Sequence, residues 1–536
     1  MLRCFFREHT KKFRIKALSV DAMELDEHVV MDYYLELIRE EKIQFLKDKP
    51  KTTENIISAI KKLKSADSLH ERIQCARDLW KLLFEAAMEY IDPNKMGYDE
   101  LFKYFDEFVS FEELIFASDS FYRDHTLHSL WVYFLGEYIF RRDEFRPYFE
   151  NFYQSFQVRE HYKEIYTQLD SEEIFGELLD TIENMDPFVS SIGAARCITA
   201  LTHDLGYPLN KIRKINQAIG KILPYFSISQ FGEFHFQFES SQQFYIENFI
   251  EIMGYDVFVG PRERDLGFHQ YELVKDIIAK TNELTTIAHS EGRIPDFLSE
   301  VKELVKECSP EQVHILRDLY QISCWFRKNT ARMMRFSDDF ERYAHGIMSA
   351  FLMMKIVGAF TDMTITYSNI SDIPMDIFDL PRTFAKMQIL TAISNHTSRG
   401  YRMREFNDLS SFLVLIDEIE EFSRISRANQ FRQYVEEFCR TKIYVEDEFM
   451  VIEFIFDNED IESLDPERAF KGRIRRFGQL FDIPNLDPAV KMKIAVISEL
   501  KGEKTRFELF IERGRFEARR NGETISIDTY LKTREL

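Results

Sequence analysis

Apolar residues recur along most of this chain with the spacing of an amphipathic α-helix. In the first part, apolar positions return every three to four residues over 29–45, 54–64 and 76–90, with charged residues between them. Similar spacing over 312–326 predicts another helix further along the chain. The pattern therefore indicates a mainly α protein.

The last hundred residues follow a different pattern, with short runs rich in β-branched and aromatic residues. These runs lie at 449–456, 493–497, 506–512, 515–520 and 523–527. Asn521-Gly522 separates the last two runs and is a strong signal for a tight hairpin. We expect a small antiparallel β domain of the α+β kind here.

These patterns divide the chain into three predicted parts. A helical amino-terminal region covers 1–115, and a helical domain covers 116–435. That domain carries a large insertion at about 215–335. The β-rich carboxyl-terminal domain covers 436–536 and is joined through the acidic stretch 446–448.

Composition limits the classes of partner. The 536 residues are 45% apolar and include 50 Phe, enough for sizeable cores. A net charge of −21 argues against broad binding to nucleic-acid backbones but allows a local basic pocket for a small anion. No apolar run approaches 18 residues, so we expect no membrane span. A homo-oligomer is compatible with the sequence.

The six cysteines are scattered singly along the chain. They stand at positions 4, 75, 197, 308, 324 and 439, with no Cys-x-x-Cys pair. This usage is typical of reduced thiols and of neither a disulfide framework nor a zinc ribbon. We therefore expect a cytoplasmic protein.

The most informative stretch is Ala-Leu-Thr-His-Asp-Leu-Gly-Tyr-Pro-Leu at 200–209. A mostly apolar run delivers His203 and Asp204, and Gly206 and Pro208 then bend or end the helix. Adjacent helical residues point about 100° apart, so one metal takes both only where the backbone bends. A carboxylate shared between two metals resolves this geometry, whereas a buried His beside a capping Asp is the simpler interpretation.

A second stretch, at 121–135, places two histidines one helical turn apart. Leu127, Leu130 and Trp131 have helical spacing, so His128 lies on a helix with an apolar face. His125 is three residues earlier, directly after Arg123 and Asp124. The same pattern also fits a helix cap beside a core histidine.

Three further ligand-type residues stand at helix ends. His345 precedes Gly346 at the start of an apolar helix, and His396 follows a helix over 384–393. Asp417 follows six almost entirely apolar residues. A carboxylate on such a face needs a partner, and either a metal cation or Arg424 can supply the positive charge.

The order of these residues resembles the HD-domain superfamily of metal-dependent phosphohydrolases. His128-Ser-Leu-Trp-Val is similar to that family's first motif, His203-Asp-Leu-Gly to its name-giving motif, and Leu415-Ile-Asp-Glu to its last. The additional His345 and His396 resemble the branch that holds two metals. The resemblance covers about 116–430, without the insertion.

The resemblance implies a helical HD-domain core and a two-metal site. Asp204 would be shared between two divalent cations (Mn, Fe, Zn, Ni or Mg), and a metal-activated water would attack the phosphorus of a nucleotide or related phosphoester. One cation would take His128, His203 and Asp417, and the other would take His345 and His396. His125 would protonate the leaving oxygen, and Arg123, Lys211 or Arg399 would bind phosphate.

Two departures from the family pattern concern the catalytic residues. Tyr207-Pro208 stands where a Lys often follows the His-Asp motif, which leaves Lys211 as a substitute. The two first-helix histidines are spaced by three, whereas the phosphodiesterases space them by four. This spacing puts the proton-donor role of His125 in question.

Two other functions use the same pattern. The ligand order also resembles the HD-fold di-iron oxygenases, which activate dioxygen instead of water. A non-catalytic HD module would bind a nucleotide or scaffold a partner without turnover. Iron content, oxygen consumption and phosphate release distinguish the three.

Overall fold

The computed structural model describes the larger part of the chain. The described residues are 24–92, 95–116, 121–149, 186–228, 237–261, 269–277, 279–280, 308–312, 314–315, 322–361, 363, 380–422, 424–426, 436–437, 439–458, 465–500 and 502–532. They are mainly helical, with a small seven-stranded sheet near the carboxyl-terminal end. The predicted fold class is confirmed at this level, and the HD-domain assignment stays a prediction.

Helices account for most of the described structure. They include α1 (Glu27–Arg39), α2 (Pro50–Ser65), α3 (Leu69–Ile91), α4 (Tyr98–Phe116), α5 (His125–Arg141), α6 (Asp186–Thr202), α7 (Tyr207–Ile222), α8 (Gln243–Met253), α9 (Thr330–Glu341), α10 (His345–Ile356), α11 (Gly358–Thr361), α12 (Leu380–Asn395), α13 (Leu409–Ile419), α14 (Pro466–Leu480) and α15 (Ile527–Lys532). The predicted helices 54–64 and 76–90 fall inside α2 and α3. The predicted helix 29–45 is divided into α1 and a short 3-10 turn, Gln44–Leu46.

The strands form one larger and two smaller sheets. They are β1 (Glu24–Leu25), β2 (Phe121–Arg123), β3 (Tyr255–Pro261), β4 (Ile322–Lys328), β5 (Arg424–Ser426), β6 (Glu436–Glu437), β7 (Arg440–Glu446), β8 (Phe449–Phe456), β9 (Met492–Leu500), β10 (Glu503–Glu512), β11 (Arg515–Arg520) and β12 (Glu523–Ile525). The seven-stranded sheet has the order β1-β7-β8-β9-β10-β11-β12. The strands β2-β5-β6 and the pair β3-β4 form the other two sheets.

Helix α6 is central to the helical part because α3, α5 and α12 all pack against it. Every residue of α5 from His125 to Phe140 is buried, as expected of a helix surrounded by other elements. Helix α12 also packs against α10 and α13. The helices that carry the predicted metal ligands are therefore in direct contact with one another.

The prediction that the carboxyl-terminal sheet is antiparallel is wrong in one respect. Strands β8 and β9 are parallel, with Ile452 opposite Ile494. A parallel pair needs a crossover connection, and α14 lies within the connection between these strands. The sequence analysis recognised the strands but not α14, so it missed the parallel pair.

The hairpin at the end of this sheet is confirmed. Strands β11 and β12 pair antiparallel, with Arg520 opposite Glu523. Asn521 and Gly522 have φ values of 49° and 85°. Positive φ at both turn positions is what a two-residue hairpin requires, and Asn-Gly adopts it with little strain.

The predicted helix 312–326 is wrong at its carboxyl-terminal end. Residues from Ile322 onwards form β4, which pairs antiparallel with β3. Hydrogen bonding to a partner 61 to 73 residues away decides between helix and strand here, and local spacing does not carry that information. Other parts of the predicted insertion, including 281–307, lie outside the described residues, as do residues 1–23.

Two smaller expectations concern membranes and thiols. In the described part of the chain, no helix combines the length and the apolar character needed to cross a bilayer. Cys75, Cys197, Cys308 and Cys439 carry free thiols.

We predict that Trp80→Phe destabilises the helical part more than Trp131→Phe does. Both indoles are fully buried, but the Trp80 Nε1–H donates to the Leu201 carbonyl, 2.8 Å away, in the last turn of α6. Trp131 Nε1 has no hydrogen-bond partner among the described residues. Removing the Trp80 donor leaves a buried carbonyl without its partner, at a cost of about 1–2 kcal/mol beyond the loss of volume. Urea unfolding followed by circular dichroism at 222 nm measures the difference, and equal losses would contradict the prediction.

Candidate metal centre

The six predicted metal ligands come from five separate segments of the chain. Helix α5 carries His128, and the turn between α6 and α7 carries His203 and Asp204. His345 is the first residue of α10, His396 follows α12, and Asp417 is in the last turn of α13. The structure brings all six side chains together.

The Asp204 carboxylate lies at the middle of the cluster. Its Oδ1 atom is 3.2 Å from Nε2 of His345 and 3.5 Å from Nε2 of His396. Its Oδ2 atom is 3.3 Å from Nε2 of His203 and 3.8 Å from Nε2 of His128. Each carboxylate oxygen therefore faces a different pair of imidazoles.

Asp417 completes one side of this cluster. Its Oδ1 atom is 3.0 Å from Nε2 of His128 and 4.0 Å from Nε2 of His203. Arg424, the competing partner from the sequence, has its backbone in β5 opposite Arg123. The side chains of both arginines lie outside what the structure describes. Two imidazoles are thus among the neighbours of the Asp417 carboxylate.

Backbone carbonyls orient two of the imidazoles. Nδ1 of His203 is 2.7 Å from the Ala200 oxygen, and Nδ1 of His396 is 2.5 Å from the Ile393 oxygen. An Nδ1–H donated to a carbonyl leaves the Nε2 lone pair available to a metal. Both Nε2 atoms are buried and have no hydrogen-bond partner among the described residues. A buried polar atom without a partner lowers the stability of the fold, so each of these Nε2 atoms is a site where a ligand would be bound favourably.

His128 is oriented by a residue that the sequence analysis did not identify. Its Nδ1 atom is 2.5 Å from Oε2 of Glu420, which is fully buried. A carboxylate behind a histidine is the usual support for a metal ligand because it fixes the ring and increases its basicity. The available signal was the position of Glu420, three residues after Asp417 and therefore near the same face of the chain.

The fourth imidazole, His345, is the most accessible. About 20% of its side chain is exposed. The Asn210 amide nitrogen lies 3.4 Å from its Nδ1 atom. Turning the amide over presents oxygen to Nδ1–H, the arrangement that leaves Nε2 free for a metal.

Two glycines allow the ligand segments to approach closely. A Cβ at Gly206 would lie 2.4 Å from the His345 carbonyl oxygen, and one at Gly346 would lie 2.7 Å from Nδ1 of His396. Ser349 joins the same segments through its hydroxyl. The hydroxyl accepts from the Gly206 N–H and lies 2.7 and 2.8 Å from the carbonyl oxygens of His203 and His345.

The electrostatics of the cluster favour the metal-binding protonation states. Burial alone would raise the pKa of Asp204, but the imidazoles that face its oxygens, first among them His203, hold that pKa well below its usual range. Burial lowers the pKa of His396 to about 4. At neutral pH the cluster therefore combines an ionised carboxylate with a neutral imidazole, as metal binding requires.

The donor set fits a metal ion. Two groups bring their ligand atoms within 4.8 Å of one another: His128, His203 and Asp417, and His203, Asp204 and His396. Nitrogen and carboxylate donors in this mixture suit divalent transition metals better than magnesium. These buried groups can hold a metal ion.

His125 lies beside the cluster. Its ring centroid is 6.4 Å from that of His128 and 3.7 Å from that of Tyr207. Glu112, which the sequence analysis also missed, lies 2.7 Å from its Nδ1 atom and is buried. Glu112 therefore fixes the orientation of the His125 ring.

The predicted phosphate-binding residues are distributed differently. Lys211 is buried, and its Nζ atom lies 4.4 Å from the centroid of the Tyr207 ring, which is itself 5.5 Å from the His345 ring. Lys211 is therefore close to the accessible side of the cluster. Arg399 is exposed in the loop that follows His396.

We predict that Glu420→Gln weakens metal binding without removing a ligand. The amide keeps the shape of the carboxylate but not its charge on the His128 ring. Loss of such a supporting carboxylate lowers metal affinity about 10- to 100-fold. Isothermal titration with Mn²⁺ measures the change. Glu40→Gln, at an exposed position after α1, is the matched control and should bind like the wild type.

We also predict a pH-dependent effect of Asp124→Asn. Asp124 caps α5 by accepting from the Leu127 N–H, and burial, reinforced by the Glu112 charge, raises the pKa of Asp124 to about 6. A raised carboxyl pKa means that stability is lost as pH rises through about 6. Asparagine keeps the cap acceptor but never ionises, so the variant should gain up to about 3 kcal/mol over the wild type between pH 4 and 7.5. Thermal melts across that range test this, and a difference independent of pH would contradict it.

Comparison of the chain with protein-family models, with curated proteins and with solved structures gave no match. The resemblance to the HD-domain superfamily therefore stays a prediction from short motifs. What the cluster does must be argued from its own geometry.

Proposed function

We propose that this protein is a metal-dependent phosphohydrolase that acts on a nucleotide or a related phosphoester. The observation that carries the proposal is that the two oxygens of the Asp204 carboxylate face different pairs of histidines. One oxygen faces His345 and His396, and the other faces His128 and His203. This is the arrangement expected of a carboxylate shared by two metal ions.

The distances support two metal positions. Ligand atoms bound at about 2.1 Å to one divalent ion lie roughly 3.0–3.4 Å apart in octahedral or tetrahedral geometry. Four of the pairs that join Asp204 or Asp417 to an imidazole fall at 3.0–3.5 Å. In this assignment His128, His203 and Asp417 would hold one ion, His345 and His396 would hold the other, and Asp204 would serve both.

Two such ions, when bound, supply a water that is acidic near neutral pH and positive charge for the phosphoryl oxygens. Hydrolysis of a phosphoester forms a bond from a water oxygen to phosphorus and breaks the bond to the leaving oxygen. The leaving oxygen must take up a proton. The residues of this chain have to provide that proton and to bind the remaining charge of the substrate.

We assign to His125 the role of donating that proton to the leaving oxygen. Glu112 contacts its Nδ1 atom, so Nε2 is the nitrogen that we assign to the proton transfer. The ring lies against Tyr207, which also contacts the side of the cluster where His345 is exposed. The proton donor and the accessible metal ligand therefore flank the same aromatic ring.

Lys211 is the cation that we assign to a second phosphate or to a non-transferred phosphoryl oxygen. Its buried amine lies over the Tyr207 ring, which attracts a cation and holds the amine near the accessible side of the cluster. In a chain with a net charge of −21, a buried lysine beside the cluster provides the local positive charge that a nucleotide phosphate needs.

The first test is metal analysis of the wild type beside His203→Ala and His396→Ala, with His28→Ala as control. His28 is exposed on α1, away from the cluster. We expect close to two metal ions per chain in the wild type and in the control, and fewer in the two cluster variants. The same samples are assayed for phosphate release from nucleotides and for oxygen uptake. Turnover should follow the metal content.

The other outcomes identify the alternatives. Iron with oxygen uptake and without phosphate release would indicate an oxygenase and overturn the proposal. Metal binding with neither reaction across nucleotide and dinucleotide substrates would indicate a binding module. Absence of metal after addition of Mn²⁺ or Fe²⁺ would show that the six residues form a polar network only.

A further inference from the structure

We propose that Arg476, in the carboxyl-terminal domain, is a positioning residue that sets the spacing between the two halves of the metal centre. This inference rests on the proposed two-metal site but not on its reaction. The carboxyl-terminal domain thereby acquires a role in metal binding. Neither the resemblance nor the ligand motifs assign it one.

Negative charge is concentrated at the end of α13. Four of the five residues from Asp417 to Glu421 are acidic, at the carboxyl-terminal end of a helix, where negative charge is unfavourable. Glu420 contacts His128, and Glu421 contacts Arg473 at 2.9 Å. The stretch keeps its conformation only if each carboxylate has a positively charged or proton-donating neighbour.

Arg476 supplies that neighbour for Glu418. Its Nε atom donates to Oε1 of Glu418 at 2.5 Å, directly beside the ligand Asp417. Its Nη2 atom donates to the backbone carbonyl of His396 at 3.2 Å. One planar guanidinium thus joins the segment of a ligand assigned to one metal with the backbone of a ligand assigned to the other.

The contact with His396 also satisfies the end of α12. The last carbonyls of a helix have no partner inside it, and His396 follows the final residue of α12. Its side chain is already oriented through Ile393. Arg476 therefore fixes the backbone at a position where a small shift would move the His396 ring relative to Asp204.

Arg476 is itself positioned by the sheet and by the loop after His396. The neighbouring Arg473 packs with its guanidinium 3.4 Å from the centroid of the Phe454 ring. At the end of α14, the Met403 N–H donates to the Leu480 carbonyl at 2.7 Å. These two contacts hold α14, the helix that carries Arg476, against the sheet and against the loop after His396.

The test compares Arg476→Ala, Arg476→Lys and Arg475→Ala by Mn²⁺ titration of the full-length protein below its melting temperature. Arg475 is exposed on the same helix and donates to the Leu531 carbonyl at 3.4 Å, so its variant is the matched control. Electron paramagnetic resonance of each sample separates a coupled Mn²⁺ pair from isolated ions. Thermal melting of the metal-free proteins records any loss of stability separately.

We expect Arg476→Ala to lower the affinity at both metal positions about 10-fold, in the range known for supporting residues of metal sites. The signal of isolated Mn²⁺ should grow at the expense of the coupled pair. Arg476→Lys keeps the charge but reaches one acceptor, so it should lose less affinity than alanine. If the alanine variant does not fold, the lysine variant alone decides the question by the same spectrum.

Several results would overturn the inference. Unchanged affinities and an unchanged coupled signal, with or without a lower melting temperature, would make Arg476 a structural residue only. Loss at one metal position alone would contradict the claim that it joins both.

A wild type that binds Mn²⁺ without hydrolysing phosphoesters would leave this inference standing while the proposed function fails. A wild type that binds no Mn²⁺ would overturn both.

Discussion

The structure depends on placing one ionised carboxylate, Asp204, among four imidazole nitrogens inside a helical core. Burial opposes the charge on Asp204, and the surrounding imidazoles more than offset that opposition. The turn between α6 and α7 makes the arrangement possible because it releases His203 and Asp204 from helical geometry. Gly206 and Gly346 then let the neighbouring segments approach to distances that any Cβ would prevent.

Around this centre, each histidine is oriented by a partner on its far side. Carbonyl oxygens contact Nδ1 of His203 and His396, and Glu420 contacts Nδ1 of His128. The lone pairs that face Asp204 are therefore set before any metal arrives. Such preorganisation reduces the entropy lost on binding and limits the coordination geometries that the centre accepts. The same device recurs outside the cluster, where Glu112 orients His125.

Most residues of the cluster were predictable from sequence, whereas two of the residues that hold them in place were not. His128, His203, Asp204 and Asp417 stand beside apolar helical runs, a local pattern that a single sequence displays. Glu112 and Arg476 lie on helices with no local sign of their role, and only the packing of α4 and α14 brings them to the site. The parallel pairing of β8 with β9 was not predicted for the same reason, because the register between distant strands is a tertiary property.

The strand β1 has a consequence for how the protein is made. Glu24 and Leu25 pair with Lys442 and Thr441, and Glu24 also contacts Arg440, 416 residues later. At ordinary ribosomal rates this partner emerges roughly 20–80 s after β1 does. The metal ligands are likewise dispersed from His128 to Asp417, so the centre cannot close while the chain is still short. Any ion held by the whole cluster could therefore bind only after Asp417 has been made, late in the synthesis of the chain, and the ligand-type residues made earlier would stay without their full set of partners until then.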